Sequence, residues 1–122
     1  MKQIDTIILV KDIKKSTEFY ESILNLKILH DWKSMVVFEN RLAIHQVDLL
    51  EPKEVIQKYV TARSLGNIII YLSTENIINE YSRLSENGIK IIHGIVDLPW
   101  QKIFRIWDLD ENIIEIGEEK ES

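Results

Sequence analysis

The sequence contains no cysteine. That absence excludes disulfides, thiolate metal sites and a cysteine nucleophile. Glycine is scarce, four residues in 122, and no glycine-rich phosphate loop is present. No window approaches the roughly 20 apolar residues of a membrane-spanning helix, so no membrane partner is expected. Positive charge is in the minority, with 15 Lys and Arg against 20 Asp and Glu and a formal net charge of −5. Nucleic acid is therefore not an expected partner, because phosphate binding wants clustered cations. No Ser-His-Asp arrangement and no nucleophile elbow can be found, so covalent catalysis has no support. The opening residues Met1-Lys2-Gln3-Ile4-Asp5 run straight into a strand pattern. No signal peptide is expected, and a cytoplasmic location is the default.

What is present fits one modest core. Hydrophobic residues make up 45% and charged residues 29% of the chain, ordinary values for a globular protein. Ile4 to Val10 is rich in β-branched residues and reads as a strand. Asp12 is a helix N-cap, and apolar positions 13, 19, 20, 23 and 24 make one buried helical face. Asn25 stops the helix, since Asn tolerates the left-handed conformation. Strands follow at Leu26–Asp31, Lys33–Glu39 and Leu42–Val47. Pro52 starts a short helix over Glu54–Val60, with Val55, Ile56, Tyr59 and Val60 as its apolar face. Asn67–Leu72 is a second opening strand. Ser73 or Thr74 caps a helix with Ile77, Ile78, Tyr81 and Leu84 inward, and Asn87-Gly88 ends it. Ile89–His93 is a strand, and Gly94–Pro99 a loop or ragged strand. A hairpin closes the chain, with Ile103–Trp107 and Ile113–Ile116 flanking the polar turn 108–112.

The order of elements from Thr6 to Ile28 recurs from Asn67 to Ile91, displaced by about sixty residues. The expected fold is α+β: two βαβββ units side by side forming a cup-shaped mixed β-sheet, with helices on the outside. The first unit is 1–47, the connection 48–65 and the second unit 66–118, within one domain of 122 residues. One helix cannot cover a four-stranded sheet alone, so two units pair, and the concave side is where a ligand would sit.

Glu115 stands inside the last apolar strand. A charge there is costly unless it is paired, bound to metal or facing a wet cavity. Strand alternation puts Glu115 and Ile113 on one face and Ile114 and Ile116 on the other. If the turn centres on Asp110, Arg105 lies opposite Glu115 as an opposite-charge pair. That pair either neutralises itself or meets a polar ligand. His45 shares a face with Ala43, and Tyr71 shares one with Asn67 and Ile69, both read as cavity-facing. Trp32, Phe38 and Trp100 add aromatics near strand ends. Such a set suits a planar or apolar organic ligand, and equally plain packing or a dimer contact. His30 and His93 carry no partner signal and are assigned no role.

Several stretches together resemble the vicinal oxygen chelate superfamily, which includes glyoxalase, bleomycin-resistance proteins, fosfomycin-resistance enzymes and extradiol dioxygenases. They are Ile4-Asp5-Thr6-Ile7-Ile8-Leu9-Val10 with Asp12, Ser16-Thr17-Glu18-Phe19-Tyr20 with Leu24-Asn25-Leu26, Pro99-Trp100, and Asp108-Leu109-Asp110-Glu111-Asn112-Ile113-Ile114-Glu115-Ile116. The resemblance implies a homodimer. It also implies four metal-ligand positions, which fall here on Thr6, Ala43, Asn67 and Glu115. Only Glu115 keeps a ligand type, and a catalytic ion needs about three protein ligands. The expectation is a metal-free small-molecule-binding protein with no cofactor, holding an organic ligand with Trp32, Phe38, His45, Tyr71, Trp100, Arg105 and Glu115. One alternative is a lyase or isomerase using a divalent metal on His45 and Glu115. Another is a ligand-free structural or regulatory dimer. In the final turn, Leu109 and Glu111 stand where the family commonly has Pro and Gly.

Overall fold

A computed structural model describes residues 1–60 and 68–120. The chain divides into two compact units, Met1–Arg63 and Ser64–Ser122. The first unit runs β1 (Thr6–Val10), α1 (Ile13–Glu18) with a π-helical turn at Phe19–Ile23, β2 (Ile28–Asp31), β3 (Met35–Phe38) and β4 (Leu42–Gln46). A 3-10 turn at Val47–Leu49 and the short helix α2 (Lys53–Ile56) follow. The second unit runs β5 (Ile69–Ser73), α3 (Ile77–Glu86), β6 (Ile91–Asp97), β7 (Gln101–Trp107) and β8 (Ile113–Glu119). Each unit holds one four-stranded mixed sheet, ordered β1-β4-β3-β2 and β5-β8-β7-β6. In both, the opening strand pairs parallel with the last one, and the other pairings are antiparallel. The result is an α+β fold of two βαβββ repeats.

The repeat extends to the helix caps. Asp12 accepts from the Lys15 N–H at 3.1 Å, and Asn76 accepts from the Asn79 N–H at 3.1 Å. A side chain from the last strand of each unit then reaches the first helical N–H. Gln46 Oε1 accepts from Ile13 at 3.0 Å, and Glu118 Oε1 from Ile77 at 3.2 Å. Two of the N–H groups that a helix start leaves without partners are thus satisfied in each unit. The second cap falls on Asn76 rather than on Ser73 or Thr74. Strand β5 continues through Ser73, and Thr74 Oγ1 instead accepts from the Asn76 N–H at 3.2 Å, holding the turn into the cap. Asn25 (φ 58°) and Gly88 (φ 72°) take the left-handed conformation after each helix.

The core of the first unit lies between α1 with its π turn and one face of the sheet, where Ile8, Val10, Val36, Phe38 and Ile44 are buried with Phe19 and Tyr20. In the second unit Ile77 and Leu84 are buried, and Tyr81 meets Phe104 edge-on at 5.1 Å. Phe104, Ile106, Ile114 and Ile116 make the sheet's side of that core. Ile78 is 63% exposed. Ile77, Tyr81 and Leu84 fall at i, i+4 and i+7 on one face, and Ile78 is turned about 100° away. Helix α2 is shorter than expected and buries no face, since Val55 and Tyr59 are exposed. The connection beyond residue 60 and the start of the second unit, Asn67 included, lie outside the described residues. Strand β6 continues through Asp97, with register slips between Ile91 and His93 and between His93 and Val96. No described helix is long and apolar enough to cross a membrane.

Candidate functional site

The closing hairpin sets the geometry of the second sheet. Asp108 Oδ1 accepts from the N–H groups of Asp110 (2.9 Å) and Asn112 (2.7 Å), and its Oδ2 accepts from Asn112 Nδ2 (2.8 Å). Asp108 thus organises the turn through its own side chain, as Asp does in tight connections. Glu111 takes φ 62°, the left-handed conformation that Gly commonly supplies there, and Leu109 is exposed. The turn centres on Asp110, so Arg105 pairs with Glu115, Trp107 with Ile113 and Ile103 with Gly117.

The flanking strands extend that register into a row. Tyr71 of β5 pairs with Glu115 of β8, Glu115 with Arg105 of β7, and Arg105 with His93 of β6. Four chemistry-bearing side chains therefore cross the sheet in one line, on the face away from α3. Arg105 Nε donates to Glu115 Oε1 at 2.9 Å, and its Nη2 lies 2.8 Å from the same oxygen. Arg105 Nη1 lies 3.2 Å from His93 Nε2. His93 Nδ1 lies 2.8 Å from the Gly94 carbonyl. A carbonyl only accepts and a guanidinium only donates. With the guanidinium donating to Nε2, Nδ1 is the His93 nitrogen that donates to the Gly94 carbonyl. The Glu115 side chain is 15% exposed and that of Arg105 33%, so the pair is largely withdrawn from water yet reachable from one side.

At the β5 end, the Tyr71 hydroxyl donates to Gln101 Oε1 at 2.6 Å. Gly117 leaves the space for this contact. A Cβ there would stand 2.8 Å from Tyr71 Cε1 and 2.9 Å from Gln101 Oε1. Partial burial, then the carboxylates of Glu119 and Glu115, push the Tyr71 phenol above its ordinary pKa. Beside the polar row runs an apolar one, Ile69, Ile113 and Trp107.

Of the residues expected from sequence, Tyr71, Arg105 and Glu115 come together. Trp100 lies in the β6–β7 turn of the same unit and is 65% exposed. Trp32, Phe38 and His45 belong to the first unit and do not form one group. Trp32, 56% exposed, stacks on His30 at 4.8 Å and 12° at the β2–β3 turn. His45 is half-buried, with Nδ1 3.0 Å from the Gln46 carbonyl, on the face shared by Ala43 and Met35. Phe38 is a correction: it is fully buried, 5.8 Å from the Tyr20 ring, on the helix-covered face. Thr6 is another, because alternation puts it with Ile8 and Val10 rather than on the face of Ala43 and His45. His93 and Gln101 were missed. His93 lies between the two β6 register slips, so counting along the strand could not place it. Gln101 had a usable signal, the parity it shares with Arg105.

Glu115 meets a cation of the protein's own. The guanidinium occupies Oε1 and stands between the carboxylate and the His93 imidazole. That donor set does not fit a divalent metal, and among the described residues no group of three or more His, Asp or Glu gathers elsewhere to hold one.

The profile of the glyoxalase-like domain matches residues 3–121. A protein of unknown function from Agrobacterium tumefaciens is 31% identical, with a TM-score of 0.81 over 98% of this chain and 95% of that one. A glyoxalase/bleomycin resistance protein/dioxygenase from Nocardioides is 18% identical, with a TM-score of 0.75 over 100% of this chain and 86% of that one. A lactoylglutathione lyase from Agrobacterium tumefaciens is 16% identical, with a TM-score of 0.72 over 96% of this chain and 92% of that one. At these identities the last two show the fold alone. No curated protein matches the chain.

Proposed function

Since the chain belongs to the glyoxalase-like domain family, we propose that it is a metal-free small-molecule-binding protein of the glyoxalase/bleomycin-resistance type. It holds an organic ligand on the second sheet, against the row Tyr71–Glu115–Arg105–His93. The observation that carries this is the Arg105–Glu115 pair, 2.8 Å apart and largely buried on the face away from α3. A salt bridge in such a place is weak evidence for stability, because desolvation offsets most of the attraction. A ligand that covers the pair gives those charges a use. The apolar row beside it supplies the nonpolar surface that small-molecule sites generally need.

The lyase or isomerase alternative requires Glu115 as a metal ligand, and the guanidinium on its Oε1 speaks against that. The homodimer belongs to the same proposal; exposed aliphatics such as Ile7, Leu29 and Val96 leave apolar surface for a partner copy. Light scattering tests that part, and a monomer at micromolar concentration would count against it.

Binding is tested by titrating chelator-treated protein with a panel of small aromatic compounds, read by tryptophan fluorescence and native mass spectrometry. Trp107 stands next to the row and reports on it. Saturable quenching by at least one compound is expected, and it should be lost in R105M. No saturable quenching by any member would favour a ligand-free dimer. Elemental analysis of protein purified without chelator tests the metal-free part; stoichiometric divalent metal would contradict it.

A further inference from the structure

The open valences of the row identify a class of ligand. Arg105 carries five N–H groups. One on Nε and one on Nη2 face Glu115 Oε1, and one on Nη1 faces His93 Nε2. One N–H on each terminal nitrogen keeps no partner among the described residues. Glu115 Oε2 likewise has none. The row therefore presents unused donors next to an unused acceptor, and its two formal charges cancel.

We infer that the ligand held at Arg105 and Glu115 is a neutral molecule with an amide-like edge, such as a primary amide or lactam, on a flat apolar body. Its carbonyl accepts from the spare Arg105 N–H groups, its N–H donates to Glu115 Oε2, and its body lies over Ile69, Ile113 and Trp107. The assignment rests on the ligand-binding function proposed above.

The charged isosteres fit worse. A carboxylate offers two acceptors and no donor. It would satisfy the guanidinium but stand against Glu115, with no proton for Oε2. Glu119, on the same strand face as Glu115 and paired with Gln101, adds negative charge along that face. An amidinium offers donors only, and would face the guanidinium as a like charge. Leaving a desolvated donor or acceptor without a partner is what rejects a wrong ligand most strongly.

Benzamide, benzoate and benzamidine share one ring and differ only in this edge. Ligand-observed NMR titration of the full chain with each, in the presence of a chelator, tests the inference. Benzamide is expected to bind at least ~10-fold tighter than either charged probe, the factor of about 1.4 kcal/mol that one satisfied polar edge supplies. In E115Q the guanidinium loses its counter-charge, so benzoate should overtake benzamide; a merely structural role for Glu115 would weaken all three alike. If E115Q fails to fold, the ranking in the unmodified protein decides by itself. Tightest binding by benzoate or benzamidine overturns the ligand class and leaves the binding function standing. The class is also overturned if none of the three binds while another aromatic compound does. If nothing binds at all, the proposed function falls with it.

Discussion

Replacing Arg105 with Met keeps an apolar stem and removes the guanidinium. Glu115 is then left as a carboxylate, 15% exposed, without its cation. Breaking a fully buried ion pair from one side costs ~3–5 kcal/mol, and exposed pairs contribute up to ~1 kcal/mol. The Arg105 side chain is one-third exposed, so solvent screening lowers the figure, and R105M should cost about 2 kcal/mol. E115Q should cost less, about 1 kcal/mol, because the freed guanidinium can rehydrate through its exposed side. The double variant should lose less than the sum, with a coupling of about 1 kcal/mol between the two sites. Urea melts of the four proteins at neutral pH measure all three quantities. By heat, a chain of this size loses roughly 4 °C per kcal/mol, so R105M should melt roughly 8 °C lower. If R105M stays within ~0.5 kcal/mol of the parent, or the two substitutions add within ~0.3 kcal/mol, the pair is not the coupled element described here.

Three further outcomes follow from the packing. Gly117→Ala places a methyl 2.8 Å from Tyr71 Cε1; because Tyr71 is half-exposed and can swing aside, it should cost no more than about 1 kcal/mol, at the low end of overpacking, while shifting the Tyr71 ring resonances; unchanged shifts would show that the ring does not lean on this strand. The Tyr71 phenol is held above its ordinary 10.0, so the fold favours its neutral form. Its contribution to stability is fully present below about pH 10 and is lost as pH rises through the raised value. An ultraviolet difference titration of the parent against Y71F should therefore show that phenol ionising above the ordinary value, and ionisation at or below it would refute the placement beside Glu119 and Glu115. Phe38→Ala should cost about 3–5 kcal/mol as a core cavity and leave ligand affinity unchanged in the folded fraction. A loss of affinity without a loss of stability would return Phe38 to the binding surface.

The architecture was legible because it repeats. Each opening strand is a compact β-branched run, and each is followed by one apolar helical face. The Arg105–Glu115 pair was legible because a turn centred on Asp110 fixes every pairing in the hairpin at once. Other features depended on information that a strand pattern does not carry. Met35 to Phe38 are four apolar residues in succession, so parity could not tell which of them faces the helix. Pairing of Val36 with Ile44 decides that, and it sends Phe38 into the core. Thr6 shows how a one-residue offset exchanges the two faces of a strand. His93 was hidden by the slip between Ile91 and His93, where two residues of β6 span one residue of β7. Asn76 competed with Ser73 and Thr74, all three able to cap a helix.

On the reading proposed above, the row Tyr71–Glu115–Arg105–His93 holds a small organic ligand without a metal. Amide and side-chain NMR shift mapping tests it most directly, using a compound that quenches tryptophan fluorescence, with and without a chelator. The largest shifts are expected at Tyr71, His93, Arg105, Glu115 and the Trp107 indole, unchanged by the chelator. Shifts confined to other residues, or binding that the chelator abolishes, would contradict it.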